Sequence, residues 1–124
     1  MGEILSLDDY SPAARPAVTN RSGRNRHVFF NRLELNQILN VYGFMVAKGE
    51  WRDYAISHDQ EACTFAVFRR SADGALFRIV KRPKLANRQG AYAVVSFGGQ
   101  VLKRGRTLQK VLEVFDTRRL QAVE

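Results

Sequence analysis

One cysteine, two histidines and three prolines in 124 residues remove several possibilities at once. Cys63 has no second thiol to pair with, which excludes an internal disulfide and any multi-cysteine metal site. It stands in a run of β-forming residues, where a small buried hydrophobe is the expected role rather than a nucleophile. His27 and His58 lie far apart in the chain, so a shared metal is not expected. The chain has no phosphate-cradling loop of the Walker or dinucleotide type, no nucleophile elbow and no paired-histidine zinc motif. An enzyme is therefore not expected, and no cofactor is implied. Long apolar runs are missing as well: stretches such as residues 65–68 and 91–95 fall far short of the about 20 residues that cross a bilayer. The start, Met1-Gly2-Glu3-Ile4-Leu5-Ser6-Leu7-Asp8-Asp9, carries acids where a secretory signal carries bases, so a cytoplasmic protein is expected.

What is present suffices for one core. A chain of this length folds as one domain and buries roughly two-thirds of the surface its unfolded form exposes. Hydrophobic residues make up 45% of it, which rules out wholesale disorder. Residues 1–28 show no sustained period and are read as a flexible basic arm, with Arg15, Arg21, Arg24 and Arg26 spaced among small polar residues. Residues 29–118 form the domain, and 119–124 a charged tail.

Three local signals agree on the first helix: Asn31 as N-cap, Glu34 at the capping-box position, and Phe30 placed to staple onto Leu35. Leu35, Ile38, Leu39, Tyr42, Met45 and Val46 follow helical spacing and are expected to cover the sheet, with Gly49 closing the helix. From Trp51 to Gly105 the period changes to two. Strands are expected near 52–58, 62–70, 75–82, 91–97 and 100–104, and Gly98-Gly99 suits a two-residue hairpin. Thr107 caps a second helix striped by Leu108, Val111, Leu112 and Phe115, expected to fade after Asp116. The fold class that follows is α+β: an antiparallel meander of four to five strands packed by two helices, in the order α-β-β-β-β-β-α.

Positive charge is concentrated. Arg69, Arg70, Arg78, Lys81, Arg82, Lys84, Arg88, Lys103, Arg104 and Arg106 stand against the single acid Asp73, making that segment net +9 in a chain of net +8. Pairing the second and third strands through an even-numbered loop at Asp73-Gly74 sorts the side chains. One face collects Ala66, Phe68, Phe77 and Ile79 as core, with Arg70 and Lys81 at its ends. The other collects Phe65, Val67, Leu76 and Val80 with Arg69, Arg78 and Arg82, and is expected to be at least partly open, because a mid-strand arginine is rarely buried without a partner. An open face mixing Phe65 with arginines offers stacking and phosphate contacts. The basic loop of residues 81–90 is longer than a hairpin needs, and such loops on rigid scaffolds often bind.

Against this stands the plainer reading, in which both faces are covered and the arginines pair with Glu34, Glu50, Asp53 or Glu113 at the rim. The cluster Glu50-Trp51-Arg52-Asp53-Tyr54 with His58 is better explained as a cap, an interfacial tryptophan and a strand start than as an acid and a base. The expected function is a non-enzymatic module for an anionic partner, either nucleic acid (RNA or DNA) or the acidic surface of another protein. Binding is expected through Phe65 and the basic residues of the sheet and loop, with no membrane involved.

The stretch Phe30-Asn31-Arg32-Leu33-Glu34-Leu35, with Ile38-Leu39, Tyr42-Gly43, Met45-Val46-Ala47 and Gly49-Glu50-Trp51-Arg52-Asp53-Tyr54-Ala55-Ile56, resembles a small family of uncharacterised alphaproteobacterial proteins known only as a domain of unknown function. Lys81-Arg82-Pro83-Lys84-Leu85-Ala86 and Gln89-Gly90-Ala91-Tyr92 resemble its second motif. The resemblance covers roughly residues 28–116. It implies a bacterial, cytosolic single domain starting near Phe29, with the arm outside it, and it supplies no site to carry over.

Overall fold

Asn31 starts the first helix through both halves of a capping box: its Oδ1 accepts from the Glu34 N–H at 2.8 Å, and its own N–H donates to Glu34 Oε1 at 2.8 Å. The computed structural model describes residues 3–5 and 27–123. Within them α1 spans Arg32–Ala47, and Gly49 follows at φ +78, the left-handed conformation that lets the chain leave a helix. The meander comprises β2 (Asp53–His58), β3 (Cys63–Phe68), β4 (Phe77–Lys81), β5 (Tyr92–Ser96) and β6 (Val101–Gly105), and α2 (Leu108–Val123) ends the chain. This is the expected α+β fold, with consecutive strands antiparallel neighbours in sequence order.

Two additions go beyond the sequence reading. Glu3–Leu5 forms a short strand, β1, antiparallel to β2 at the sheet edge, within the segment read as an arm. Of the rest of that arm only His27 and Val28 are described, and the Val28 N–H donates to the Asp59 carbonyl at 2.8 Å. The second helix does not end at Asp116 but continues to Val123, since no glycine or proline interrupts it and its arginine, leucine, glutamine and alanine residues favour helix.

Both helices pack on one face of the sheet. Ile38, Val41 and Met45 of α1 and Leu108, Val111, Leu112 and Phe115 of α2 are buried against Ile56, Phe65, Val67, Ile79 and Val94. Trp51, read as interfacial, is 1% exposed and meets Phe115 edge-on at 5.1 Å, so it belongs to the core. The α1 stripe is rotated from the expected one. Leu35, Leu39 and Tyr42 are only half-buried and Val46 is exposed, while Val41 and Glu34 turn inward.

The largest correction concerns the sheet faces. Phe65 pairs with Ile79 and Ala66 with Arg78, so odd residues of β3 share a face with odd residues of β4. The connection through the Ser71–Asp73 turn and Gly74 therefore counts as odd, where an even loop was assumed. Because side chains alternate strictly along a strand, that one residue moves Phe65 and Val67 into the core and Ala66 and Phe68 to the opposite side. The β5–β6 hairpin also differs. Ser96 N–H donates to the Gln100 carbonyl at 2.8 Å and only Gly99 takes positive φ, so the loop has three residues, Phe97-Gly98-Gly99.

Candidate nucleic-acid interface

The face opposite the helices carries two cross-strand rows. One runs Ala55–Ala66–Arg78–Val95–Val101 and the other Ser57–Thr64–Val80–Ala93–Arg104. Among the described residues no helix packs on these rows, and β3 shows the asymmetry directly: Cys63, Phe65 and Val67 are buried while Thr64, Ala66 and Phe68 are only half-buried. Arg78 and Val80 lie on this face as expected, whereas Phe65 and Val67, expected on it, lie on the helix side.

Small and β-branched residues predominate on this face, and among the described residues arginine is its only basic residue type. Asp53, opposite Phe68, is its one acid among the described residues. Arg69 and Arg70 follow β3 at one end of the strands, close in the chain to Gly74. Arg82, Lys84, Arg88 and Arg106 lie at the other end, in the β4–β5 loop and at the turn into α2. Arg78 and Arg104 stand between, one in each row, so that arginines occur from one end of the strands to the other. Among the described residues, no carboxylate lies within ion-pair distance of Arg69, Arg70, Arg78, Arg88, Arg104 or Arg106.

Three of the remaining basic residues have partners at the surface. Glu61 faces Lys84 Nζ at 3.4 Å and Arg82 at 4.0 Å, and Lys103 lies 3.9 Å from Glu113 of α2. Such exposed pairs hold weakly, by about 0–1 kcal/mol, and leave these cations available to a stronger anion. The loop that presents Lys84 and Arg88 is tightly wound: the Leu85 carbonyl accepts from the N–H groups of Arg88, Gln89 and Gly90 at 2.8–3.0 Å.

Lys81 and Phe65 do not belong to this surface. Phe65 is fully buried, stacked on Tyr54 at 4.9 Å, and cannot receive a base. Lys81 points to the helix side, where its Nζ donates to Glu34 Oε1 at 2.8 Å and to the Phe29 carbonyl at 2.8 Å. The odd register between β3 and β4 turns Phe65 inward, whereas Lys81 shares the helix-side parity of Phe77 and Ile79 in either register. Lys81 lies in an inner row, His58–Cys63–Lys81–Tyr92–Gly105, that gathers most of the titratable side chains of the core. Tyr92 OH donates to Glu34 Oε2. Burial pushes the Tyr92 phenol up, and the adjacent Glu34 carboxylate pushes it further. His27 and His58, separated in sequence, have their ring centroids 4.6 Å apart beside Phe29. Cys63 is buried, as expected. Among the described residues no three His, Cys, Asp or Glu side chains gather to hold a metal ion.

Sequence reasoning missed Phe97. It was assigned to a strand end, yet the three-residue turn leaves it 66% exposed, the one large aromatic side chain of the described residues so presented. Its ring passes beside Gly74, where an added Cβ would stand 3.5 Å from Cε1. The detectable signal was the glycine pair after it, because a loop with a single left-handed glycine recruits one more residue than a loop with two. A separate cleft of about 310 Å³ between the helices, lined by Gln37, Asn40, Val41, Gln109, Leu112 and Asp116, has no basic side chain.

No helix among the described residues is long and apolar enough to cross a membrane. A family model described as "Protein of unknown function (DUF2794)" matches residues 28–112. No curated protein and no solved structure matches the chain.

Proposed function

The chain belongs to that family of unknown function, and we propose that it is a non-enzymatic, cytoplasmic bacterial module that binds nucleic acid through its open sheet face. The observation that carries the reading is the distribution of arginines: Arg78 and Arg104 on a face without a covering helix, with Arg69 and Arg70 at one end and Arg82 and Arg106 at the other. Guanidinium groups match phosphate geometry with paired donors and stay charged at every physiological pH. The weakly paired Lys84 and the loop Arg88 extend the same field toward the partner. The core titratable groups support a structural role instead of a catalytic one, since Glu34, Lys81 and Tyr92 satisfy one another beneath the Phe29 segment.

A second reading, docking onto an acidic protein surface, is favoured by one feature. Ala55, Ala66, Val80 and Val95, each half-buried, lie between the arginines, and protein interfaces concentrate arginine over lysine in this way.

Salt titration of binding to mixed RNA and DNA pools separates the two. With four to six phosphate contacts, log K against log salt should fall with a slope of roughly −3 to −5. The double substitution Arg78→Ala and Arg104→Ala should flatten it by about one to two units. Absence of binding to any pool at about 50 mM salt, where counterion release is strongly favourable, would reject the nucleic-acid reading and leave the protein one.

A further inference from the structure

Phe97 has a setting that an incidental surface phenylalanine lacks. It occupies the first position of the Phe97-Gly98-Gly99 turn, where the hydrogen bond from Ser96 N–H to the Gln100 carbonyl holds the loop closed at 2.8 Å. Gly74, at φ +84, lies beside its ring, where an added Cβ would stand 3.5 Å from Cε1, and 66% of the residue remains exposed. Val101, 44% exposed, lies across the hairpin opposite Val95, and Val95 in turn pairs with Arg78. Arg69 and Arg70 precede the turn that carries Gly74. An exposed aromatic ring thus stands at the end of the strands where Arg69, Arg70 and Arg78 occur, none of them within ion-pair distance of a described carboxylate.

We propose that this end of the open face binds a single-stranded segment of nucleic acid, with one unpaired base stacked on Phe97 and the neighbouring phosphates held by Arg69, Arg70 and Arg78. The inference rests on the nucleic-acid reading above and narrows it to a strand class. Bases inside a duplex stack on one another and present no free face to a side chain, whereas a splayed base presents its whole ring. Stacking is indifferent to base identity, so the site selects for strandedness more than for sequence. The charge of the face suits a polyanion along its length. The small alanine and valine side chains between Arg78 and Arg104 let the strand lie close to the sheet.

The test compares a fluorescein-labelled mixed-sequence RNA strand with the same strand annealed to its complement. Both are titrated against the wild-type protein, Phe97→Leu, and the double variant Arg78→Ala and Arg104→Ala, with thermal unfolding confirming that each variant is folded. Phe97→Leu keeps an apolar side chain and removes only the ring. It is expected to weaken single-strand binding roughly 5- to 150-fold and to leave duplex binding within about twofold. The double variant is expected to weaken both. Unchanged single-strand affinity in Phe97→Leu, with the double variant still impaired, overturns the stacking inference and leaves the nucleic-acid reading intact. Equal loss for strand and duplex in Phe97→Leu overturns the strand preference. No binding of either probe by the wild-type protein overturns both and returns the face to an acidic protein partner.

Discussion

Lys81 Nζ lies 2.8 Å from Glu34 Oε1, joining the end of β4 to the first turn of α1 across 47 residues of sequence. The same carboxylate caps its own helix and accepts from Tyr92 of β5, so one side chain ties the helix start to two adjacent strands. It does so while 7% exposed, an environment in which an unpaired charge is costly.

Replacing Lys81 with Met should therefore destabilise the fold although the aliphatic stem is kept. Removing one member of a buried ion pair leaves the other uncompensated, typically at about 3–5 kcal/mol. The low end applies here, because the lysine side chain retains 17% exposure. Urea unfolding of Lys81→Met gives the number, and a loss under about 1 kcal/mol would mean that the pair is a surface bridge in effect.

Acid should weaken the fold through the same group. Burial pushes the Glu34 carboxyl up, but hydrogen bonds from Lys81, Tyr92 and the Asn31 N–H, with the Lys81 charge, outweigh it and hold the pKa below its ordinary value. A carboxyl lowered by folding adds stability above its unfolded pKa of about 4.3 and gives that stability up as pH falls through the lower folded value. Stability contributed by Glu34 is thus expected to be level near neutrality and to decline below about pH 5. Glu34→Gln should be less stable than the wild type at neutral pH and lose less on acidification. Parallel denaturation series would contradict this if both proteins lost the same amount between neutrality and acid.

Two glycines should respond to alanine with opposite signs. At Gly90, φ is +103 and an added Cβ collides with the Gly105 carbonyl of β6. Gly90→Ala should cost at least about 2 kcal/mol, since the strained backbone and the clash act together. Gly43 lies in α1 with nothing within 4 Å of a new Cβ. There Gly43→Ala should add about 0.5–1 kcal/mol by restricting the unfolded chain. Thermal unfolding midpoints moving in the same direction for both variants would show that local geometry is not what sets these effects.

Element identity was legible in the sequence because its signals are local. The Asn31–Glu34 box, the glycine after α1, the alternation along β2 to β6 and the turn residues between them each span only a few positions, and each element they announced is present. The net +9 segment was legible for the same reason, since charge is counted and not folded. The place of Arg78 on the face away from the helices followed from its charge, which resists burial wherever the chain places it.

What the tertiary structure alone decided is which residues share that face. The side-chain period of a strand is two, so the membership of both faces depends on whether the Ser71–Asp73 turn counts as odd or even, and composition does not reveal that. One residue of difference buried Phe65 and brought Phe68 to the open side. The rotation of α1 was likewise beyond its own periodicity. Glu34 turns inward because its partners Lys81 and Tyr92 arrive from strands 47 and 58 residues away, and their hydrogen bonds offset a desolvation that no local pattern records.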